Sequence, residues 1–415
     1  MLRPPHHYIT PLLLILGAVS AFPVRAEAPN VSTLTTRHYR VHSDLEPALA
    51  RELGDHLDAM YDEYARRLSE FNPPKGSPAL EAYLFARRSS YTAFTGNSIQ
   101  NSGGIFMPGR HCLAAFYQEQ GGDGLRRTLQ HEAFHQFAHA AISPDLPVWL
   151  NEGLAQLFEE GLFTEQGFSL GQVPPHRLRQ LEADLNARRV MDFKSLMALT
   201  PKQWQARMVD PLRGAAQYNQ AWAMVHFLVT GTAPNGDPLR PRLIKLLRLV
   251  HSGRDAESAW AEAFSPNIAG FQARFLDYCR SMKPTPEAAM VERVSVLADL
   301  LTELRSRGRS FDDMGSFRDA VVKGRYKLQY TRGDLQWSTG EDPGVYFADL
   351  DGSPLPGHQL YLSPRAGKEL PDIVCQYSPT LRIRATFSTA TASDQHVQRE
   401  VLLEPTATSV QISRD

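Results

Sequence analysis

Two histidines and a glutamate within five residues could carry chemistry in this chain. The segment Thr128-Leu129-Gln130-His131-Glu132-Ala133-Phe134-His135 sets two imidazoles four positions apart, with a carboxylate directly after the first. On an α-helix, positions i and i+4 lie about 40° apart around the axis and about 6 Å apart along it, so both rings can grip one ion from one face. Glu132 lies about 60° from His135 on the helical wheel and can enter the same cleft without ligating. There it can take a proton from a metal-activated water and deliver it to a leaving amine. The expected ion is Zn2+, which brings the pKa of such a water near neutrality. Composition alone would produce this pentapeptide in roughly one chain of this length in forty, so its setting has to support it.

A catalytic zinc needs a third protein ligand and an open fourth position. Glu152 is the candidate, in Trp149-Leu150-Asn151-Glu152-Gly153-Leu154-Ala155, seventeen residues after His135. A Ser143-Pro144-Asp145 turn lets the second helix fold back antiparallel, and Gly153 would allow close helix approach. The alternative is a solvated helix charge. Against that, an acid preceded by Pro147 and Trp149 adjoins an apolar face.

These two motifs resemble those of the gluzincin metallopeptidases. The second is close to that of the aminopeptidase N family, and thermolysin shares the ligand scheme. The chain is most similar to uncharacterised secreted bacterial proteins with a peptidase-like domain. The likeness rests on residues 125–160, with support from 216–228. It implies that His131, His135 and Glu152 bind zinc and that Glu132 is the general base. It also brings Tyr218 forward: aminopeptidase N relatives carry, on a helix downstream of the glutamate ligand, a tyrosine whose phenol donates to the developing oxyanion. The alternative for Tyr218 is an anchor for helix packing. The Gly-Ala-Met-Glu-Asn motif that captures a free amine in those relatives is absent. Ser102-Gly103-Gly104-Ile105 stands in that region without a carboxylate, which favours an endopeptidase. Thermolysin relatives place an Asp four residues after the glutamate ligand; here Gln156 brings no charge to orient a histidine. His139 continues the i, i+4 series but lies about 12 Å along the axis from His131, too far to share one ion, and reads as structural or supporting. Metzincins would need a histidine at Ala141. His111 reads as a surface residue.

The elements around these residues follow from periodicity. Arg37–Val41 reads as a strand. Leu49, Leu53, Leu57, Met60 and Tyr64 mark a helix over 45–68, which Asn72 to Gly76 breaks. Leu80–Phe85 reads as a second strand. Ile105–Met107 and Leu113–Phe116 read as a hairpin around Pro108-Gly109. Leu113–Tyr117 is the strand expected to hold an extended peptide by main-chain bonds. The first zinc helix starts near Asp123, a candidate N-cap, and the second runs from Pro147 to about Glu160. Helices are expected over Pro175–Ala187, Ser195–Gln205, Ala215–Val229, Arg240–His251, Ala256–Phe264 and Ile268–Cys279. A charged helical stretch over 283–323 reads as a linker. Beyond it, Tyr326–Tyr330, Val345–Phe347, Gln359–Leu362, Ile373–Gln376, Leu381–Phe387 and Val397–Leu403 suggest a sandwich-like all-β module over 324–415. The fold class is α+β: a zincin-like domain over 30–282, with a small N-terminal sheet and a helical lobe, followed by that module.

The 415 residues carry a formal net charge of −1, which gives no support to a nucleic-acid surface. Arg3, an apolar run from Ile9 to Ala21 and small residues at Val24-Arg25-Ala26 or Val19-Ser20-Ala21 describe a signal peptide over 1–26. The alternative is an uncleaved anchor, for which the run is short. The mature protein is expected to be periplasmic or secreted, without stable membrane insertion. Three cysteines, Cys112, Cys279 and Cys375, rule out a dense disulfide framework and leave any single pairing open. Together these features predict a secreted zinc peptidase acting on peptide or protein substrates. The rival expectation is an exported, non-catalytic binding or scaffold protein that retains a zinc-helix core.

Overall fold

The computed structural model describes residues 31–73, 76–96, 102–118, 121–164, 167–332, 335–339, 342–364, 370–378, 381–389 and 397–405; the segment read as a signal peptide, 1–26, lies outside them. The fold is α+β, and the chain divides into two compact units: one within residues 10–161 and 176–283, the other within 162–175 and 284–415.

The first unit opens with β1 (Ser32–Thr35) and β2 (Tyr39–Ser43), followed by α1 (Pro47–Arg67). Leu53, Leu57, Met60 and Tyr64 are fully buried along α1, as the 3–4 spacing predicts. Asp58 on α1 holds the turn before β2, accepting from the backbone N–H groups of Arg37 and His38 and from the Thr36 hydroxyl. Then come β3 (Leu80–Phe85), α2 (Arg88–Thr95), β4 (Gly104–Met107) and β5 (Cys112–Phe116). The five strands form one mixed sheet in the order β1-β2-β3-β5-β4. β3 pairs with β5 in parallel and β5 with β4 antiparallel, so the expected hairpin is present.

This order corrects one expectation. Holding an extended peptide, as expected of Leu113–Tyr117, needs an open edge, but β5 is flanked on both sides and its residues Leu113 to Phe116 are fully buried. The edge strand beside β5 is β4, with β1 at the opposite edge. The hairpin turn folds β4 outside β5, so of these two strands only β4 has a side without a strand neighbour.

Next are the two helices that carry the motif residues, α3 (Gly121–Ala141) and α4 (Val148–Glu159), with Pro147 as the N-cap of α4. Asp123 lies in the first turn of α3 rather than ahead of it. Tyr64 donates to the Gln130 carbonyl at 2.6 Å, tying α1 to the middle of α3. The chain then leaves for the second unit with the hairpin β6 (Leu162–Thr164) and β7 (Gly167–Ser169) and returns on α5 (Pro175–Asn186). The helical lobe continues with α6 (Phe193–Met197), α7 (Pro201–Arg207), α8 (Pro211–Thr230), α9 (Arg240–His251), α10 (Ala256–Ala263) and α11 (Ile268–Ser281). The single helix expected over 195–205 is two, because Thr200 forms a capping box with Gln203 and Pro201 starts a new helix.

Gly153 permits close approach, though to α8 rather than to α3. A Cβ there would lie 2.5 Å from both the Ala221 carbonyl oxygen and Val225 Cγ2. Alanine in a helix interior normally gains about 1 kcal/mol over glycine. Here the obstructing atom is backbone, so the helices must separate, and overpacking of this kind costs about 1–3 kcal/mol. Gly153→Ala is therefore expected to lower stability in denaturant unfolding; a stabilised variant would show that the α4–α8 contact is loose.

In the second unit, α12 (Pro286–Ser306) and α13 (Met314–Gly324) precede the ribbon β8 (Gln329–Arg332) and β9 (Leu335–Ser338), then the strands β10 (Leu360–Ser363), β11 (Asp372–Ser378), β12 (Leu381–Thr389) and β13 (Val397–Pro405). The last four form an antiparallel sheet in sequence order. Two expectations are corrected here. First, 283–323 is no linker: Leu297, Leu301 and Leu304 of α12 and Phe317 of α13 share one core with Ile373, Cys375, Ile383 and Ala385 of the sheet. The helices α12 and α13 pack on the apolar face of this four-stranded sheet, where a sandwich would place a second sheet. Secondly, Pro343–Phe347 is a 3-10 turn, not a strand, because the Asp342 side chain accepts from the Gly344 N–H ahead of it. The 162–175 excursion interrupts the 30–282 domain. It joins the second unit by two reciprocal hydrogen bonds: Thr285 N–H donates to the Val173 carbonyl and Val173 N–H to the Thr285 hydroxyl. The three cysteines are buried and unbridged. Among the described residues, no helix is long and apolar enough to cross a membrane.

Candidate metal centre

The turn at Ser143–Leu146 folds α4 back on α3 and brings Glu152 to the two histidines. Glu152 Oε2 lies 3.5 Å from His131 Nε2 and 3.7 Å from His135 Nε2, and the three potential ligand atoms all lie within 4.8 Å of one another. The imidazole centroids are 4.7 Å apart and the rings are inclined at 71°. Ligand atoms about 2.0–2.1 Å from a tetrahedral ion stand roughly 3.3–3.4 Å from one another, so little adjustment would bring this set onto one ion. All three residues are buried, at 0–1% exposure.

Their polar atoms converge without partners. His131 Nε2, His135 Nε2, both Glu152 oxygens and Glu132 Oε1 are buried with no hydrogen bond. Buried polar atoms are rarely left so, and five in one place are costly unless a cation meets them. The surrounding field is negative. Burial opposes protonation of His131, but the nearby Glu152 carboxylate and the bond to Glu159 outweigh burial and raise its pKa. The same field would favour a metal cation in place of that proton. His135 is pushed well down by burial and by His131. Burial raises Glu152, and His131 opposes the rise. Among the described residues, His131, His135 and Glu152 are the group able to hold a metal ion.

Glu132 is fully buried beside the triad, and β4 pins it. The Phe106 backbone N–H donates to Glu132 Oε2 at 2.7 Å. Burial and Glu152 push the Glu132 carboxyl up to about 8, against the pull of His131 and the Phe106 N–H. A cation at the triad would pull it down again. Gly104 lets β4 lie this close: a Cβ there would be 2.5 Å from Thr128 Cγ2 and 3.1 Å from Glu132 Cγ.

Glu159 is the site residue that sequence reasoning missed. Its Oε2 lies 3.0 Å from His131 Nδ1. With the proton on Nδ1 donated to Glu159, the His131 Nε2 lone pair faces the triad, the arrangement by which carboxylates orient metal-bound histidines. Against burial, this bond and the charges of Arg177 and Arg127 hold the Glu159 carboxyl far below its usual range. The doubt raised by Gln156 is thus met elsewhere. Gln156 donates instead to the Tyr218 and Glu152 carbonyls, at 2.9 and 3.2 Å. A signal was available, because a residue seven positions after Glu152 returns to the same helix face.

The other candidates are placed as follows. Tyr218 sits on α8, its carbonyl bound by Gln156 and its ring edge-on to Trp204 at 5.2 Å. His139 lies edge-on to Phe106 at 5.4 Å and 6.2 Å from the exposed His111 ring. It lines a cleft of about 410 Å³ that opens beside His135, with Phe106, Asn151 and an apolar wall including Leu146, Val148 and Met197. The Asn151 Oδ1 is buried there without a hydrogen bond.

Residues 126–235 match the family described as a protein of unknown function (DUF1570). The match holds His131, Glu132, His135, Glu152, Glu159 and Tyr218, whereas β4, which pins Glu132, precedes it. No curated protein matches the chain.

Proposed function

We propose that this chain is an exported zinc peptidase of the gluzincin type, built on a zincin-like fold, that hydrolyses internal peptide bonds. The observation that carries the reading is the buried triad His131, His135 and Glu152, whose partnerless atoms converge beside an equally buried Glu132. A structural metal site has no use for a second buried acid, beside its one carboxylate ligand, that does not complete its shell. Three protein ligands, with no fourth among the described residues, would suit a catalytic zinc, which keeps one position for water.

His131, His135 and Glu152 would hold the ion, which supplies Lewis acidity and lowers the pKa of a water near it. Glu132 would take the proton of the attacking water on Oε1, while Oε2 stays fixed by Phe106, and pass it to the departing amine. The strand β4, whose Phe106 N–H holds Glu132, is the one proposed to lie along an extended substrate. The cleft beside His135 leaves room for chain beyond the cleaved bond, and no carboxylate in Ser102–Ile105 is placed to hold a free amine. Both features favour endo- over aminopeptidase action. Tyr218 is proposed as the oxyanion donor, through its place on α8 against α4. The basic start and short apolar run of residues 1–26 support export.

The test is cleavage of a mixed peptide library by the mature protein, with and without a zinc chelator. Expected are internal cuts lost with chelator and restored by Zn2+. No cleavage by folded, zinc-loaded protein would overturn the reading.

A further inference from the structure

The acids at the end of α4 form a charged cluster with two arginines, and one of these comes from neither motif helix. Arg177 on α5 is largely buried, with 12% of its side chain exposed. Its Nε donates to Glu160 Oε1 at 2.7 Å and its Nη1 to Gln156 Oε1 at 2.6 Å. Its Nη2 lies 3.7 Å from Glu159 Oε2, the oxygen that faces His131 Nδ1. Its guanidinium lies over the Trp222 ring, 5.5 Å from the centroid. Arg127 on α3 approaches the same acids from the other side, 2.7 Å from Glu160 and 3.6 Å from Glu159. Glu160 already has short bonds to both arginines, so the remaining arm of Arg177 is directed at Glu159.

We propose that Arg177 is a positioning residue for the metal centre and acts on His131 through Glu159. A carboxylate can orient an imidazole only while it keeps one rotamer, and a long side chain on the last turn of a helix has several. The Arg177 fork is itself fixed by Gln156 and Glu160, and its Nη2, 3.7 Å from Glu159 Oε2, favours the Glu159 rotamer that meets His131. Glu159 then keeps its oxygen on His131 Nδ1, and His131 keeps Nε2 toward Glu152 and the ion. Arginine suits this task because its planar donors are fixed relative to one another; a lysine ammonium is a single point. The inference rests on the metal-binding part of the proposed function and is independent of peptide hydrolysis.

Zinc affinity of the full mature chain, read by competition with a chromophoric chelator, tests it on Arg177→Met, Glu159→Ala and the double variant. Loss of an orienting partner typically weakens metal binding about 10–100-fold. Each single variant is expected in that range, and the double variant no weaker than Glu159→Ala alone within about twofold, because Arg177 has nothing left to position. Absorption of the Co2+-loaded proteins should change in the same order. Unchanged affinity in Arg177→Met overturns the proposal. So does a full additional loss in the Glu159→Ala background, which would make Arg177 a general support of the fold. Should Arg177→Met not fold, Arg177→Lys takes its place, with a smaller loss that must also vanish without Glu159. A parent protein that takes up no zinc would remove the metal reading itself, an outcome separate from parent binding with indifferent variants.

Discussion

Glu132→Gln is expected to keep its metal and lose hydrolysis. The amide has the shape of the carboxylate, and its oxygen can still accept from the Phe106 N–H that holds Oε2 at 2.7 Å. Glu132 is not one of the three converging ligands, so metal content should stay at the parent level. What the amide cannot do is take a proton. General-base assistance contributes about 10²–10⁴-fold, and kcat should fall by that factor with KM little changed. Metal analysis and single-turnover rates on the same preparations check both halves. Hydrolysis within a few-fold of the parent would remove Glu132 from the mechanism. Loss of metal with activity would instead make Glu132 part of the ion's shell.

Glu152→Gln should separate metal binding from folding. An ion that binds only the folded state stabilises it by about 2.7 kcal/mol at a hundredfold excess over Kd. In the roughly 240-residue unit that holds the site each kcal/mol moves Tm by about 2–4 °C, so zinc should raise the Tm of that unit by roughly 5–10 °C. Glu152→Gln replaces the ligand charge with a neutral amide, and that rise should vanish. In chelator the order is expected to change. The parent then buries a carboxylate with two partnerless oxygens among partnerless imidazole nitrogens, and the neutral variant carries less of that burden. The variant should melt at or above the parent in chelator and well below it in zinc. Thermal scans in the two buffers decide it; an equal zinc response in both proteins would show that Glu152 is not a ligand.

The sequence by itself determined the parts of this site that depend on local geometry. The i, i+4 imidazoles, the acid between them and the turn that folds α4 back are properties of one helix and its successor, set by 3.6-residue periodicity and a Ser-Pro break. The same periodicity found α1 and much of the helical lobe, and period-2 runs found β3, the β4–β5 hairpin and most of the last sheet. Tertiary structure decided everything that depends on which element lies beside which. β5 reads as a strand fit to bind a peptide, but β3 on its other side buries it and gives the edge to β4. Phe106 contributes a backbone N–H, which no side-chain pattern can announce. Gln156 holds the position the resemblance assigns to an orienting acid, yet Glu159 three residues later does that work, because the His131 ring faces the far end of α4. Gly153 serves α8 instead of α3. The stretch over 283–323 looks like a linker until its leucines meet the last sheet and make a sandwich unnecessary. Periodicity records which face of an element is apolar. The partner for that face comes from contacts between residues far apart in the chain, and their spacing carries no trace of it.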